Sequence, residues 1–450
     1  MKLWQKDYEP DRTVERYTVG EDYLLDQELV EVDVLGSLAH ATMLQRIGVL
    51  SAEELARLRA ALLEVLELHR RGEFTLRLED EDVHTKVENH LTERLGALGK
   101  KIHTGRSRND QVLVDLRLYT KRFLHRIAHA VLDLCEVLWS FSDRYRMTFM
   151  AGRTHTQPAM PSSVGLWSAA LLEALLDDLA LLRAAYELND QCPLGSAASY
   201  GVPLPLDRAL VARLLGFSRV QNNVLYANNS RGKFEAAVLF ALVEVMLDLS
   251  RLAADLILFG LPEFGYFSFP PEMYNGSSIM PQKRNPATLE LLRARTSTAM
   301  GYLFQVLSIV RALPSGYNRD FQETKAPFMR GMALALSSVQ VAAHLLRHLQ
   351  VNEEALRRGC TPEIFAADRA LELSLQGMPF RDAYREVARQ LDRLRPDDPT
   401  EALRKRAHQG TAAQLGLEGI RAWMERERRD WTERERKLEE ALRRLVEGEA

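Results

Sequence analysis

Five stretches of this sequence carry leucine and alanine at helical spacing for far longer than a surface helix needs. They run from Asp110 to Arg146, Pro161 to Asn189, Lys233 to Leu261, Pro286 to Leu313 and Lys325 to Leu349. Each spans about 25–35 residues, against a usual helix of ~11–12. A helix that is apolar on more than one face must be covered on more than one side. The chain is therefore expected to be mainly α, with long central helices forming a multi-helix bundle. Association of subunits is the simplest way to cover the faces left over. Strand signals are weak, and only minor hairpins are expected.

A length of 450 residues is roughly three domains of about 150. Boundaries near Arg106 and Val351 give an N-terminal helical domain 1–106, a long-helix domain 107–351 and a C-terminal helical domain 352–450. In the first, Ser51-Ala52-Glu53-Glu54 has capping-box form and opens a helix that runs to Gly72. In the last, Thr361-Pro362-Glu363 is a helix start, and TERERKLEEALRRL is a charged helix whose charges are read as a solvated face with i,i+4 pairs.

Composition excludes several classes. With 59 Lys+Arg against 62 Asp+Glu the net charge is −3, which argues against an obligate nucleic-acid binder. Cys135, Cys192 and Cys360 lie far apart with no CxxC, which argues against a disulfide scaffold, zinc ribbon or iron–sulfur site. The cleanest uncharged run, Gly331 to Leu346, is short of the ~20 residues of a membrane span. The start, MKLWQKDYEPDR, has no apolar h-region. A cytoplasmic protein, with neither nucleic acid nor membrane as partner, is expected.

The breaks between long helices hold the candidates for chemistry. His103-Thr104-Gly105-Arg106-Ser107-Arg108-Asn109-Asp110-Gln111 precedes the first long helix. Ser107, Arg108 and Asn109 would offer donors near a helix N-terminus, where anions are favoured. Arg106 and Arg108 suit a dicarboxylate, since guanidinium binds carboxylate through two parallel bonds. A helix cap with solvated arginines is the plainer alternative. Gly152-Arg153-Thr154-His155-Thr156-Gln157-Pro158 offers a candidate proton carrier, or an ordinary loop histidine. Gly276-Ser277-Ser278-Ile279-Met280-Pro281-Gln282-Lys283-Arg284-Asn285-Pro286 closes a long loop and runs into a helix. It is no P-loop, because G-x-x-x-x-G-K-[ST] is absent. A Gly-Ser-Ser tip followed by cations reads as a lid over an acidic substrate. Glu290 falls on the next helical turn, where it would orient a histidine or simply complement the helix dipole. In Tyr317-Asn318-Arg319-Asp320-Phe321-Gln322-Glu323-Thr324-Lys325, the side chains of Tyr317, Gln322 and Lys325 would share one side of a turn.

These four segments, in this order, resemble the fumarase/aspartase superfamily and, within it, the argininosuccinate lyases. The superfamily signature G-S-S-x-M-P-x-K-x-N is matched from Gly276 to Asn285, while HTGRSRNDQ and YNRDFQETK point to the narrower group. The resemblance implies a three-domain, mostly helical subunit in a homotetramer with sites shared between subunits. It implies cleavage of argininosuccinate to arginine and fumarate in arginine biosynthesis, without metal or organic cofactor. Ser277 resembles the general base and His155, oriented by Glu290, its partner in proton transfer; which of the two takes the proton stays open. Lys283 and Asn285 resemble the groups that stabilise the anionic intermediate. Ser107, Arg108, Asn109 and Thr154 resemble succinyl-side contacts; Tyr317, Gln322 and Lys325 resemble contacts in the other half.

The chemistry asks for these types. A proton leaves the carbon β to the departing nitrogen, and the resulting aci-carboxylate needs cations and amide donors where charge develops. The sequence also departs from the pattern. Leu3-Trp4-Gln5-Lys6-Asp7-Tyr8 stands where many members have LWGGRF. Asp22 stands at a serine, and Asn229-Ser230-Arg231-Gly232-Lys233 replaces S-x-R-D, keeping Arg231 as a carboxylate contact. The alternatives are another fumarate-releasing lyase (adenylosuccinate lyase or one for a modified argininosuccinate), a silent crystallin-like homologue, or a helical scaffold without a site.

Overall fold

The computed structural model describes residues 11–449, so the departure at Leu3–Tyr8 lies outside the described residues. The chain is mainly α, as expected. Helix α1 (Val30–Arg46) is buried along most of its length. Helix α2 (Ala52–Arg70) opens on the expected capping box: Ser51 Oγ accepts from Glu54 N at 3.1 Å and Glu54 Oε2 accepts from Ser51 N at 2.9 Å. Helix α3 (Val83–Leu95) is capped by Asp82, whose carboxylate accepts from Thr85 N at 2.8 Å.

The first long helix, α4 (Arg108–Arg144), has 37 residues and is about 55 Å long. It starts two residues earlier than expected because Ser107 caps it. Asp110 then fixes the start from both sides: one oxygen accepts from Ser107 N at 2.9 Å, the other from Gly195 N and Ala197 N at 2.9 and 2.8 Å. The next long helix starts later than expected. Residues 149–163 form an antiparallel hairpin, β1 (Phe149–Thr154) and β2 (Gln157–Ser163), in which Pro161 pairs with Ala151. Only after Ser163 caps it does α5 (Val164–Asn189) begin. Then follow α6 (Lys233–Phe259), α7 (Ala287–Val310) and α8 (Lys325–Arg347), close to their expected bounds.

The loop between α6 and α7 is tied down twice. Phe267 and Ser268 pair with Val351 and Gln350, and Asn275 and Asn285 exchange backbone hydrogen bonds at 3.0 and 2.8 Å. The second tie leaves Gly276–Arg284 standing out.

The main core draws on α1 to α8 and on the last helix, α11 (Leu417–Glu447), while α9 (Ala366–Leu375) and α10 (Phe380–Ala388) share a small core of their own. Residues on both sides of Arg106 and of Val351 share the main core. Helix α11 carries the expected i,i+4 pairs, among them Arg436–Glu440 at 3.0 Å and Lys437–Glu433 at 3.4 Å, and has a docked face besides. It buries a stripe that includes Trp431, Leu438, Leu442 and Leu445. Many of its charges dock on other helices rather than only on water: Arg122 donates to Glu439 at 2.8 and 2.9 Å, and His129 pairs with Glu435 at 2.9 Å. By contrast, Phe240 and Leu247 on α6 and Leu291, Met300, Phe304 and Leu307 on α7 are exposed. No helix among the described residues is long and apolar enough to cross a membrane.

Candidate active site

Five parts of the chain converge at the N-terminus of α4. They are the first turn of α4 itself, the segment 317–325 leading into α8, and the short stretches around Asp22, Glu81 and Arg231. Together they enclose a cleft lined by Arg108, Asn109, Arg231, Tyr317, Gln322 and Lys325, with Val19, Asp22, Glu81, Asp82, Val112 and Arg319. Six of the residues singled out from the sequence therefore meet in one chain. Gln322 is steered there by donating to Thr18 O at 2.9 Å.

The cations of the cleft are held in different ways. Arg108 donates to Glu81 at 2.9 Å and lies 2.7 Å from Asp82; burial opposes its charge, but these two acids hold its pKa above the usual value. Lys325 is buried between Asp26 at 2.6 Å and Asp22 at 3.0 Å. Burial would discharge it, and the two carboxylates more than offset that. Arg231 is different. No carboxylate pairs with it among the described residues, it lies 5.4 Å from the rings of both Tyr317 and Phe321, and burial lowers its pKa. Where the S-x-R-D pattern has an acid, Gly232 has φ +79°, and a Cβ there would meet Val310 Cγ1 at 2.1 Å, so this backbone leaves no room for one. Lys233 turns to the surface, donating to the Tyr226 hydroxyl at 3.2 Å.

Arg106 does not join Arg108. It is buried and donates to Ser37 Oγ at 2.9 Å. The expectation of two arginines gripping one dicarboxylate is corrected: Arg108 is the first residue of α4, whereas Arg106 lies ahead of the Ser107 cap, outside the helix, where the chain turns it back onto Ser37.

Behind the cleft lies a buried acidic nest that the sequence reading missed. Asp26 uses its second oxygen to accept from Val83 N at 3.1 Å, so it joins Lys325 to the start of α3. His84 is hydrogen-bonded to Asp33 and lies 3.7 Å from Asp115. Burial opposes its protonation, yet the carboxylates of Asp33, Asp82 and Asp26 raise its pKa; burial with Asp33 and Asp26 raises that of Asp115. The ligand atoms of Asp33, His84 and Asp115 lie within 4.8 Å of one another, close enough for a divalent cation. The hydrogen bond between His84 Nδ1 and Asp33 already engages two of these residues with each other. A usable signal was the acidic run Glu79-Asp80-Glu81-Asp82 with His84 two residues after its end.

The remaining candidates do not line this cleft. Ser107 serves as the cap of α4, its oxygen accepting from Asn109 N at 3.3 Å, which leaves its proton free to donate. Thr154 and His155 are exposed at the hairpin turn, where His155 and Thr156 both have positive φ, 52° and 61°. That is the turn a two-residue hairpin demands, taken without glycine and hence under strain. Ser277 lies on the outstanding loop. Its oxygen accepts from Ile279 N and Met280 N at 3.4 and 3.2 Å, so two amides already point where an alkoxide charge would sit. Asn285 donates to Gly276 O at 3.2 Å and steadies the loop. Lys283 and Glu290 are exposed, and Glu290 makes no hydrogen bond to His155 within the chain.

The geometry has close counterparts. The lyase family (Lyase_1) matches residues 10–301. Argininosuccinate lyase of Thermotoga neapolitana is 44% identical over 392 residues, covering 87% of this chain and 98% of that one. Argininosuccinate lyase of Sorangium cellulosum is 45% identical over 433 residues, covering 95% of this chain and 100% of that one. Among solved structures, EDDS lyase in complex with formate superposes with a TM-score of 0.83 at 22% identity, over 98% of this chain and 95% of that one. The class II fumarase of Schistosoma mansoni gives 0.72 at 18% identity, over 86% and 94%. These two speak for the fold alone. Kinship this high over nearly the whole length leaves one conclusion: the chain belongs to the argininosuccinate lyases within the fumarase-type lyase family.

Proposed function

We propose that this protein cleaves argininosuccinate into arginine and fumarate by β-elimination, in arginine biosynthesis in the cytoplasm. The observation that carries the reading is the cleft, which sets Arg108, Arg231 and Lys325 against Asp22, Glu81 and Asp82. A surface of mixed sign suits a ligand that carries carboxylates, an ammonium and a guanidinium together. Arg108 and Asn109, with Ser107 and Thr154, hold the succinyl carboxylates. Tyr317, Gln322, Lys325 and Arg231 hold the arginine half. Ser277, its oxygen faced by two amides, exchanges the proton on carbon with His155 as partner. Lys283 and Asn285 stabilise the aci-carboxylate, and Glu290 orients His155.

Ser277, His155, Lys283 and Glu290 lie outside the cleft of their own chain, and apolar side chains of α6 and α7 are exposed. Both facts support a homotetramer in which neighbouring subunits bring these groups to one another's clefts. Absorbance of released fumarate, with purified protein and argininosuccinate, tests the function; no fumarate from that substrate, but release from adenylosuccinate, would move the protein to the other lyase.

Arg108→Lys should raise KM by about tenfold or more, because lysine replaces a fork already anchored on Glu81 and Asp82 by a point charge. An unchanged KM would take Arg108 out of the site.

A further inference from the structure

Lys325 carries one positive charge and faces two carboxylates. Asp26 is fully committed: one oxygen is 2.6 Å from Lys325 Nζ, and the other accepts from Val83 N. Its charge balances that of Lys325. Asp22 is the surplus. One of its oxygens is 3.0 Å from Lys325; the other accepts no hydrogen bond from the described residues, and Asp22 lines the cleft. A largely buried carboxylate without a cation of its own is costly to keep ionised.

On the same cleft Arg231 has the opposite deficit. It is buried against Tyr317 and Phe321 and forms no ion pair among the described residues; the buried Glu235 acts on it more strongly than Asp22 does, but Glu235 also faces Arg117, so two guanidiniums share that one carboxylate. Arg108, in contrast, is already balanced by Glu81 and Asp82. One unmatched anion and one unmatched cation on a shared wall form a receptor for a group that carries both signs on neighbouring atoms. An α-amino acid is such a group.

We propose that Asp22 receives the α-ammonium of the substrate's amino-acid end beside the α-carboxylate on Arg231, and so selects α-amino acids over des-amino analogues. This rests on the argininosuccinate reading and adds to it a residue that sets specificity. The competing role for Asp22 is a clamp on Lys325 with no contact to substrate.

Two probes separate these roles. L-Arginine and 5-guanidinopentanoate share the guanidinium and the carboxylate; only the first carries the ammonium. Titration calorimetry on the full-length protein should show L-arginine bound ~10- to 100-fold tighter than 5-guanidinopentanoate, the usual worth of a charge-assisted hydrogen bond. Asp22→Asn should reduce that preference to within about twofold by weakening L-arginine alone. Asp22→Ser should do the same, and serves if the asparagine variant melts early. Equal weakening of both ligands, no change in either, or no preference in the parent protein would overturn the proposal. Fumarate release from argininosuccinate is read separately. Release with no preference dependent on Asp22 sinks this inference alone. A preference dependent on Asp22 without release sinks the lyase reading and leaves the amino-acid receptor standing.

Discussion

Ser277→Ala is expected to fold like the parent and to cleave argininosuccinate about 10³-fold more slowly, or worse, with the loss in kcat. The fold should survive because Ser277 stands on an outstanding loop whose base, the Asn275–Asn285 pair, uses only backbone groups. The rate should collapse because the hydroxyl acts mainly in the transition state. Two amides aimed at its oxygen favour the anionic form, and removing the oxygen leaves them nothing to stabilise. Fumarate absorbance gives kcat, and a thermal melt checks the fold. A variant that keeps a tenth of the parent rate would end the assignment of Ser277 as a group that moves the proton.

Mixing two inactive proteins should restore activity. His155 and Ser277 are about 120 residues apart in the chain, and neither lines the cleft of its own chain. If each cleft takes its histidine from one subunit and its serine from another, His155→Asn and Ser277→Ala subunits complement each other. Denatured together in equal amounts and renatured, they should assort at random. About one site in four then receives both normal residues, by symmetry alone. Recovery near a quarter of the parent activity supports shared sites. Mixed assemblies no better than either variant would mean that both residues come from one chain, and that the assembly is structural only.

What could be read from the sequence follows from periodicity. The five long helices announced themselves because each carries leucine and alanine around more than one face. Their starts were less legible. Ser107 and Ser163 each end up as caps, but whether a serine before a helix caps it depends on the backbone around it, which tertiary contacts set; Asp110 binding Gly195 and Ala197 is one such contact. The hairpin at His155 read as a proline-containing break because its strands hold Pro158 and Pro161, which weaken a strand signal. In the cleft, the residues near glycines and helix starts were visible. Asp26, Asp33, His84 and Asp115 were not, since a charged residue in a helix is usually solvated and only packing shows it to be buried. Arg106 failed for the reverse reason: Arg108, two residues on, goes to the cleft, while Arg106 turns to Ser37.

Helix α11 places the end of the chain on α4 and α1, which are made hundreds of residues earlier. A ribosome adding about 5–20 residues per second exposes the matching surface of α4 well before α11 leaves the exit tunnel. Until then the surface of α4 that α11 covers stands open on the nascent chain. Trp431 is fully buried in that contact. Its burial marks the docking of α11 on α4.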